Sequence, residues 1–214
     1  MLADLVVGFA QQSGTQAAIE SVGGVDAAKR VAAGEAFDVV ILASDAIEKL
    51  LAGGHLLPGS KVDWVHSGVA VAVPAGAPLP DLSSEDAVRA AVLAAPSISL
   101  STGPSGVALS KLFERWGIAE QIAPRMVQAP PGVPVGSLVA KGEVALGFQQ
   151  LSELLHVQGI QIVGPLPPAI QITTTFSAGV GVHSQQADAA RALLAYLASP
   201  AAADAKQKQG MTPA

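Results

Sequence analysis

The stretch Phe37-Asp38-Val39-Val40-Ile41-Leu42-Ala43-Ser44-Asp45 carries an apolar run directly into a serine and an aspartate. The run from Phe37 to Leu42 is typical of a strand that is buried on both faces of a parallel sheet. Ala43-Ser44-Asp45 indicates the start of a helix, which we expect to end at Gly53-Gly54. A strand that leads straight into a helix predicts an α/β fold, with right-handed crossovers around parallel-type sheets flanked by helices.

The rest of the chain alternates between helices and strands in the same way. Apolar residues at helical spacing predict helices over 2–12, 25–33, 83–95, 107–116, 135–141 and 186–198. Short apolar runs predict strands over 17–22, 69–73, 98–100, 125–128, 144–148, 160–163 and 172–182. We expect Gly14 to end the first helix, and Ser83 or Ser84 to cap the helix over 83–95.

Two proline-rich segments, 74–80 and 165–168, bracket an internal α/β unit. We therefore expect a discontinuous first lobe, residues 1–76 plus 172–214, and a second lobe, residues 77–171. Ligands of such folds bind at the C-terminal ends of the strands, so we expect the ligand to lie between the two lobes.

The composition excludes several classes of protein. Half of the 214 residues are hydrophobic, which allows a sizeable core and excludes a disordered chain. The net charge of −5 has the wrong sign for a nucleic-acid-binding protein. The absence of cysteine excludes disulfides, thiol catalysis and thiolate metal sites. The longest apolar run, 68–79, is shorter than the about 20 residues that span a bilayer, so we expect no membrane insertion.

The most informative loop follows the strand over 98–100 and reads Ser101-Thr102-Gly103-Pro104-Ser105-Gly106. A strand that feeds hydroxyl groups and glycines into a helix start collects backbone N–H donors at one point. The loop therefore predicts an anion site, with Ser101, Thr102, Gly103, Ser105 and Gly106 as ligands. The alternative is an ordinary helix cap.

Similar, weaker signals occur elsewhere. The other predicted ligand-binding residues lie at helix starts or at the end of the strand over 144–148: Gly23, Gly24, Ser44, Gly132, Val133, Gln149 and Gln150. Glutamine amides at a strand end donate to ligand oxygens without an added charge, although solvated loop glutamines are an equal alternative. Among the arginines, Arg125 is the candidate for a role in the cleft.

Searches for enzyme motifs mostly fail. No serine stands in a G-x-S-x-G setting, and the Walker and G-x-G-x-x-G nucleotide motifs are absent. The histidines lack the spacing of a triad or a zinc site: His55, His66, His156 and His183. We therefore expect no metal and no cofactor, and a binding protein rather than an enzyme.

The pattern resembles the molybdate-binding protein family, which has the type II periplasmic solute-binding fold. The resemblance rests on three blocks: Gly34 to Asp45, Pro104-Ser105-Gly106, and Lys141 to Phe148. It implies two α/β lobes that close on a small anion, a periplasmic location, and an ABC transporter permease as partner. It also implies that Ser44, Ser105 and the turn near Gly132-Val133 bind the anion.

The chain departs from this family at two places. Gln150 stands where the molybdate binders have a tyrosine, and Ser-Thr-Gly-Pro-Ser-Gly with Gly-Phe-Gln-Gln resembles a branch that handles organic anions. This branch is similar to an aconitate isomerase, which implies an alternative function: an enzyme that moves a proton on a small tricarboxylate.

The second departure is at the start, where the family has a strand and a serine-bearing loop before its first helix. This chain begins on that helix, and Met1-Leu2-Ala3-Asp4 lacks the pattern of a secretory signal. We therefore expect the first strand to be missing. An open sheet edge beside Phe37 to Leu42 would then weaken ligand binding, and would either make the protein marginally stable or favour association with another chain.

Overall fold

The structure is a computed structural model that describes residues 1–130 and 132–214, and it confirms the α/β class. The helices are α1 (Leu2–Ser13), α2 (Gly24–Ala32), α3 (Ser44–Ala52), α4 (Glu85–Ala94), α5 (Pro104–Arg115), α6 (Ala119–Ile122), α7 (Val135–Ala140), α8 (Leu151–Leu154), α9 (Ala187–Ala198) and α10 (Ala203–Gln207). The strands are β1 (Val39–Ala43), β2 (Val62–Pro74), β3 (Ile98–Leu100), β4 (Leu146–Gln150), β5 (Ile160–Pro165), β6 (Thr173–Val180) and β7 (Met211–Pro213). Short 3₁₀ turns cover Ala123–Arg125, Pro168–Ile170 and Pro200–Ala202.

The chain divides into two compact units. The first unit contains Met1–His66 and Thr174–Ala214, and the second contains Ser67–Thr173. The chain passes from the first unit to the second within β2, which continues without a break to Pro74. The proline-rich segment 74–80 therefore follows the end of a strand inside the second unit.

In the first unit, β1 pairs with β6 in antiparallel register, with Val39 opposite Val180. The expected parallel strand, buried on both faces, is wrong for this segment. Val40 and Leu42 are buried among side chains of α2 and α3, whereas the alternate residues Val39 and Ile41 are only partly buried. One face of β1 is thus fully covered and the other partly covered, which is why its sequence looks apolar throughout.

Two further predicted strands are absent from the described residues. Residues 17–22 are mostly exposed and form no strand, and Glu20 is instead held by an ion pair to Arg30 at 2.6 Å. Residues 125–128 make a single bridge, between Met126 and Ile98. Arg125 donates to the carbonyl oxygens of Leu93 and Ala95 at 2.8 and 2.6 Å, so its guanidinium caps the end of α4.

The second unit is built around β4. Strand β3 runs parallel to β4, with Leu100 opposite Phe148, whereas β2 runs antiparallel to it, with Val71 opposite Phe148. Strand β5 pairs with β2 on an antiparallel ladder. Every residue of β4 is buried, so the fully covered parallel pair that the sequence suggested at Phe37 is found at β3 and β4 instead.

Helices α5 and α7 cover opposite faces of β4. The ring of Phe113 on α5 lies 5.9 Å from that of Phe148. On the other face, a Cβ added to Gly147 would lie 2.5 Å from Val139 of α7. Because neighbouring strand residues point to opposite faces, these two contacts fix which helix covers which side.

Several helix ends agree with the sequence. The hydroxyl of Ser84 accepts a hydrogen bond from the N–H of Ala87 at 3.1 Å, so Ser84 caps α4. Gly14 ends α1 in the left-handed conformation, with φ of 73°, which glycine adopts at little cost. In the described part of the chain, no helix has the length and apolar character needed to cross a bilayer.

Candidate ligand-binding site

The carboxyl ends of β3 and β4 meet at one edge of the second unit, because these strands run parallel and in register. The loop Ser101–Gly103 and the start of α5 follow β3 at this edge, and Gln149 and Gln150 end β4. Open α/β sheets bind their ligands at such edges. The predicted ligand residues in 101–106 and 149–150 therefore follow strand ends at the same edge of this unit.

The first turn of α5 presents hydrogen-bond donors to this edge. Ser101 Oγ lies 2.9 Å from Ser105 Oγ. The N–H groups of Gly106 and Val107 donate to the carbonyl of Gly103, at 3.0 and 3.2 Å. The N–H of Ser105 has no partner among the described residues, although Ser105 is buried. A free donor at the positive end of a helix is what an anion requires.

Position 106 requires a glycine, because a backbone carbonyl group lies where a side chain would have to go. A Cβ at this position would lie 1.7 Å from the carbonyl oxygen of Ser101. The loop therefore folds directly onto the first turn of α5. This close approach holds the two serine hydroxyls beside each other.

The two glutamines that end β4 have different environments, although both are buried strand residues rather than solvated loop residues. Gln149 accepts from the N–H of Gly136 at 3.0 Å and donates to Glu153, so both ends of its amide are used. Gln150 is 5% exposed, and its amide has no hydrogen-bond partner among the described residues. It lies on the face of β4 that carries Phe148 and α5. Of the pair, Gln150 is the one with a free amide.

Glu153, on α8, is a component of this edge that sequence reasoning missed. Its Oε2 accepts a hydrogen bond from Gln149 Nε2. The pKa of Glu153 is raised above its ordinary value, because desolvation of the carboxylate outweighs the opposing effect of the Gln149 hydrogen bond. The available sequence signal was the spacing of Gln149 and Glu153, four residues apart where a strand turns into a helix.

The remaining predicted ligand residues belong to other parts of the chain. In the first unit, Gly23 and Gly24 are exposed at the start of α2, and Ser44 is the half-buried first residue of α3. In the second unit, Gly132 has φ of 76°, and the N–H of Val133 donates to Pro130. The neighbouring Pro131 lies outside the described residues.

A cavity of about 340 Å³ opens beside the loop after β3. Its lining residues are Leu100, Ser101, Thr102, Gly106, Val107, Ser110, Met126, Val127 and Gln128. These described residues supply hydroxyl, amide and apolar groups but no charged side chain. Its volume suits a small ligand.

Comparison with known proteins places the chain in a family. A family model described as "Bacterial extracellular solute-binding protein" matches residues 1–212. An aconitate isomerase from a Pseudomonas species is 44% identical over 185 residues, which are 86% of this chain and 70% of that protein.

Solved structures show the same fold. The periplasmic molybdate-binding protein of Azotobacter vinelandii has a TM-score of 0.79 at 22% identity, over 99% of this chain and 93% of that one. The sulfate-binding protein of Mycobacterium tuberculosis H37Rv has a TM-score of 0.78 at 16% identity, over 99% and 82% of the two chains. The resemblance to the molybdate-binding fold is confirmed.

Proposed function

Because the chain belongs to the bacterial extracellular solute-binding protein family, we propose that it binds a small organic anion where β3 and β4 end in the second unit. The observation that carries this proposal is the first turn of α5, where the unpaired N–H of Ser105 stands beside the Ser101 and Ser105 hydroxyls. Donors fixed at a helix N-terminus stabilise negative charge without a positively charged side chain.

The donor set can accommodate a carboxylate as well as an inorganic oxyanion. Gln150 adds a buried neutral amide, which can donate to one oxygen of a carboxylate while the serine hydroxyls bind another. The relative at 44% identity is named for aconitate, a tricarboxylate. By its family, the protein would act outside the cytoplasm and deliver its ligand to a membrane permease.

Calorimetry and thermal shift with cis-aconitate, trans-aconitate, citrate, molybdate and sulfate test this function. We expect the tricarboxylates to bind and to raise the melting temperature, and Gln150→Leu to weaken their binding about tenfold by removing one neutral hydrogen bond. Gln185→Leu, at an exposed position, is the matched control and should bind normally. Stabilisation by sugars or amines, with no response to any anion, would contradict the proposal.

A second candidate function is isomerisation of a bound tricarboxylate, and the specific observation in its favour is the 44% identity with an aconitate isomerase. The same scaffold can serve both functions, because a binding site becomes an isomerase site once a well-placed base can remove a proton from the bound acid. The ratio of cis- to trans-aconitate during incubation with the protein, followed by NMR, distinguishes the two functions.

A further inference from the structure

Glu153 is held in place by a chain of hydrogen bonds that ends on the backbone. Gln149 Nε2 donates to Glu153 Oε2, and Gln149 Oε1 accepts from the N–H of Gly136 at 3.0 Å. Because Gln149 is buried and both ends of its amide are used, its orientation is fixed. One carboxylate oxygen of Glu153 is therefore immobilised, and Oε1 has no partner among the described residues.

The surroundings of Glu153 favour a carboxylate that takes up protons readily. The side chain of Glu153 is exposed, no ion pair within the described residues involves it, and its pKa is raised because partial desolvation outweighs the Gln149 hydrogen bond. Glu85 is a contrasting case in the same unit, since hydrogen bonds from Trp116 and Arg115 lower its pKa. A carboxylate without a neighbouring cation is a stronger base than one in an ion pair.

Glu153 is also the only ionisable side chain in the segments that form this edge. Segments 101–106 and 149–154 otherwise contain only neutral residues. Gln149 and Gln150 point to opposite faces of β4, and the strand ends at Gln150. For a ligand lying across the end of β4, this arrangement would put Gln150 and α5 on one side and Glu153 on the other.

We propose that Glu153 accepts and returns the proton when a bound unsaturated tricarboxylate shifts its double bond, an inference that rests on the second candidate function. Oε1 removes a proton from the methylene carbon next to the double bond, and the C–H electron pair spreads over the three-carbon unit. The carboxyl group then returns the proton to the carbon at the other end. The double bond moves by one position, and no oxidant, reductant or co-reactant is needed.

The donors on the other face have a matching role in this step. Negative charge that leaves the breaking C–H bond spreads onto the attached carboxylates. The N–H of Ser105 and the amide of Gln150 would stabilise it there. Proton acceptor and charge-stabilising donors would then stand on opposite sides of the ligand.

The test compares the wild-type protein with Glu153→Gln in D₂O, with cis-aconitate as the probe. NMR follows deuterium incorporation and isomer ratio, and calorimetry gives the dissociation constant. We expect Glu153→Gln to slow exchange and isomerisation by about 10²- to 10⁴-fold while affinity changes little. Glu153→Asp should retain part of the rate, and Glu143→Gln, at an exposed position, should retain all of it.

Each other outcome overturns a stated part of the proposal. Full rate in Glu153→Gln would show that Glu153 is not the proton acceptor. Loss of affinity in parallel with rate would show a purely structural role. If the wild-type protein binds aconitate without exchange or isomerisation, the assignment of Glu153 fails and the binding function stands. If no aconitate binds, the proposed tricarboxylate ligand itself fails.

Discussion

At the scale of single residues, the candidate site shows how adjacent side chains acquire different roles. Gln149 and Gln150 are chemically identical neighbours, but strand alternation directs one towards α7 and the other towards the face of α5. The first is used for internal hydrogen bonds and the second retains a free amide. Sequence analysis selects both residues, because only the contacts across the sheet separate them.

Gly106 provides a residue-scale prediction on stability. We expect Gly106→Ala to lower the free energy of unfolding by about 2–4 kcal/mol, because its Cβ would collide with the Ser101 backbone carbonyl rather than with a mobile side chain. Thermal melting measures the change, at roughly 2–4 °C per kcal/mol for a chain of this size.

Gly103→Ala is the matched control for this change, since a Cβ at Gly103 would lie 3.9 Å from Ser101 Oγ, an ordinary contact. It should melt close to the wild-type temperature. Equal melting temperatures for the two variants would show that the loop does not pack on α5 as described.

At the scale of elements, the sequence predicts helices better than strands. The helices over 83–95 and 135–141 are found close to their predicted bounds, because apolar residues repeat at helical spacing along them. Residues 17–22 have the composition of a strand but no neighbour to pair with, so composition alone misleads there. The polar start of β2, with Asp63 and His66, conceals a strand whose pairing depends on residues distant in sequence.

The packing of α10 against β2 includes a buried amine. Lys206 is 1% exposed, lies 5.8 Å from the centre of the Trp64 ring, and has no acceptor for its ammonium group among the described residues. Desolvation lowers the pKa of Lys206 below its ordinary value of 10.5. Burial therefore disfavours the charged form of this side chain in the folded protein.

We expect Lys206→Met to raise the free energy of unfolding by about 1 kcal/mol at neutral pH, because it keeps the apolar stem and removes the buried charge. The unfolded chain binds the proton more tightly than the folded one, so wild-type stability rises with pH between the lowered pKa and 10.5. The advantage of the variant should shrink over that interval. Denaturant unfolding at several pH values measures it.

The control is Lys208→Met, at an exposed position on the same stretch of chain. It should change stability little at any pH. A loss of stability in Lys206→Met would mean that the interaction of the ammonium with Trp64 outweighs the cost of burying it.

At the scale of the whole molecule, the fold tolerates great divergence in sequence, and the site does not follow from the fold. Molybdate- and sulfate-binding proteins at 22% and 16% identity share this architecture. The loop over 101–106 could be recognised as a candidate because glycines and hydroxyls follow a strand. Glu153 could not, since it is an exposed glutamate on a short helix, and only its contact with Gln149 distinguishes it from other surface carboxylates.

The overall charge and the neutral donor set together predict how binding of a tricarboxylate depends on salt. The chain has a net charge of −5, and the described lining of the cavity beside the loop after β3 contains no charged side chain. Attraction to a lysine or arginine cluster would weaken as salt is added. Here salt screens only the repulsion between an acidic protein and an anion, while hydrogen bonds to Ser105 and Gln150 act at short range.

We therefore expect the affinity for citrate or cis-aconitate to stay constant or rise when calorimetry is repeated from about 0.01 M to about 0.15 M salt, where the screening length falls from about 30 to about 8 Å. A tenfold loss of affinity over this range would show that a positively charged side chain holds the ligand, and would contradict the neutral site.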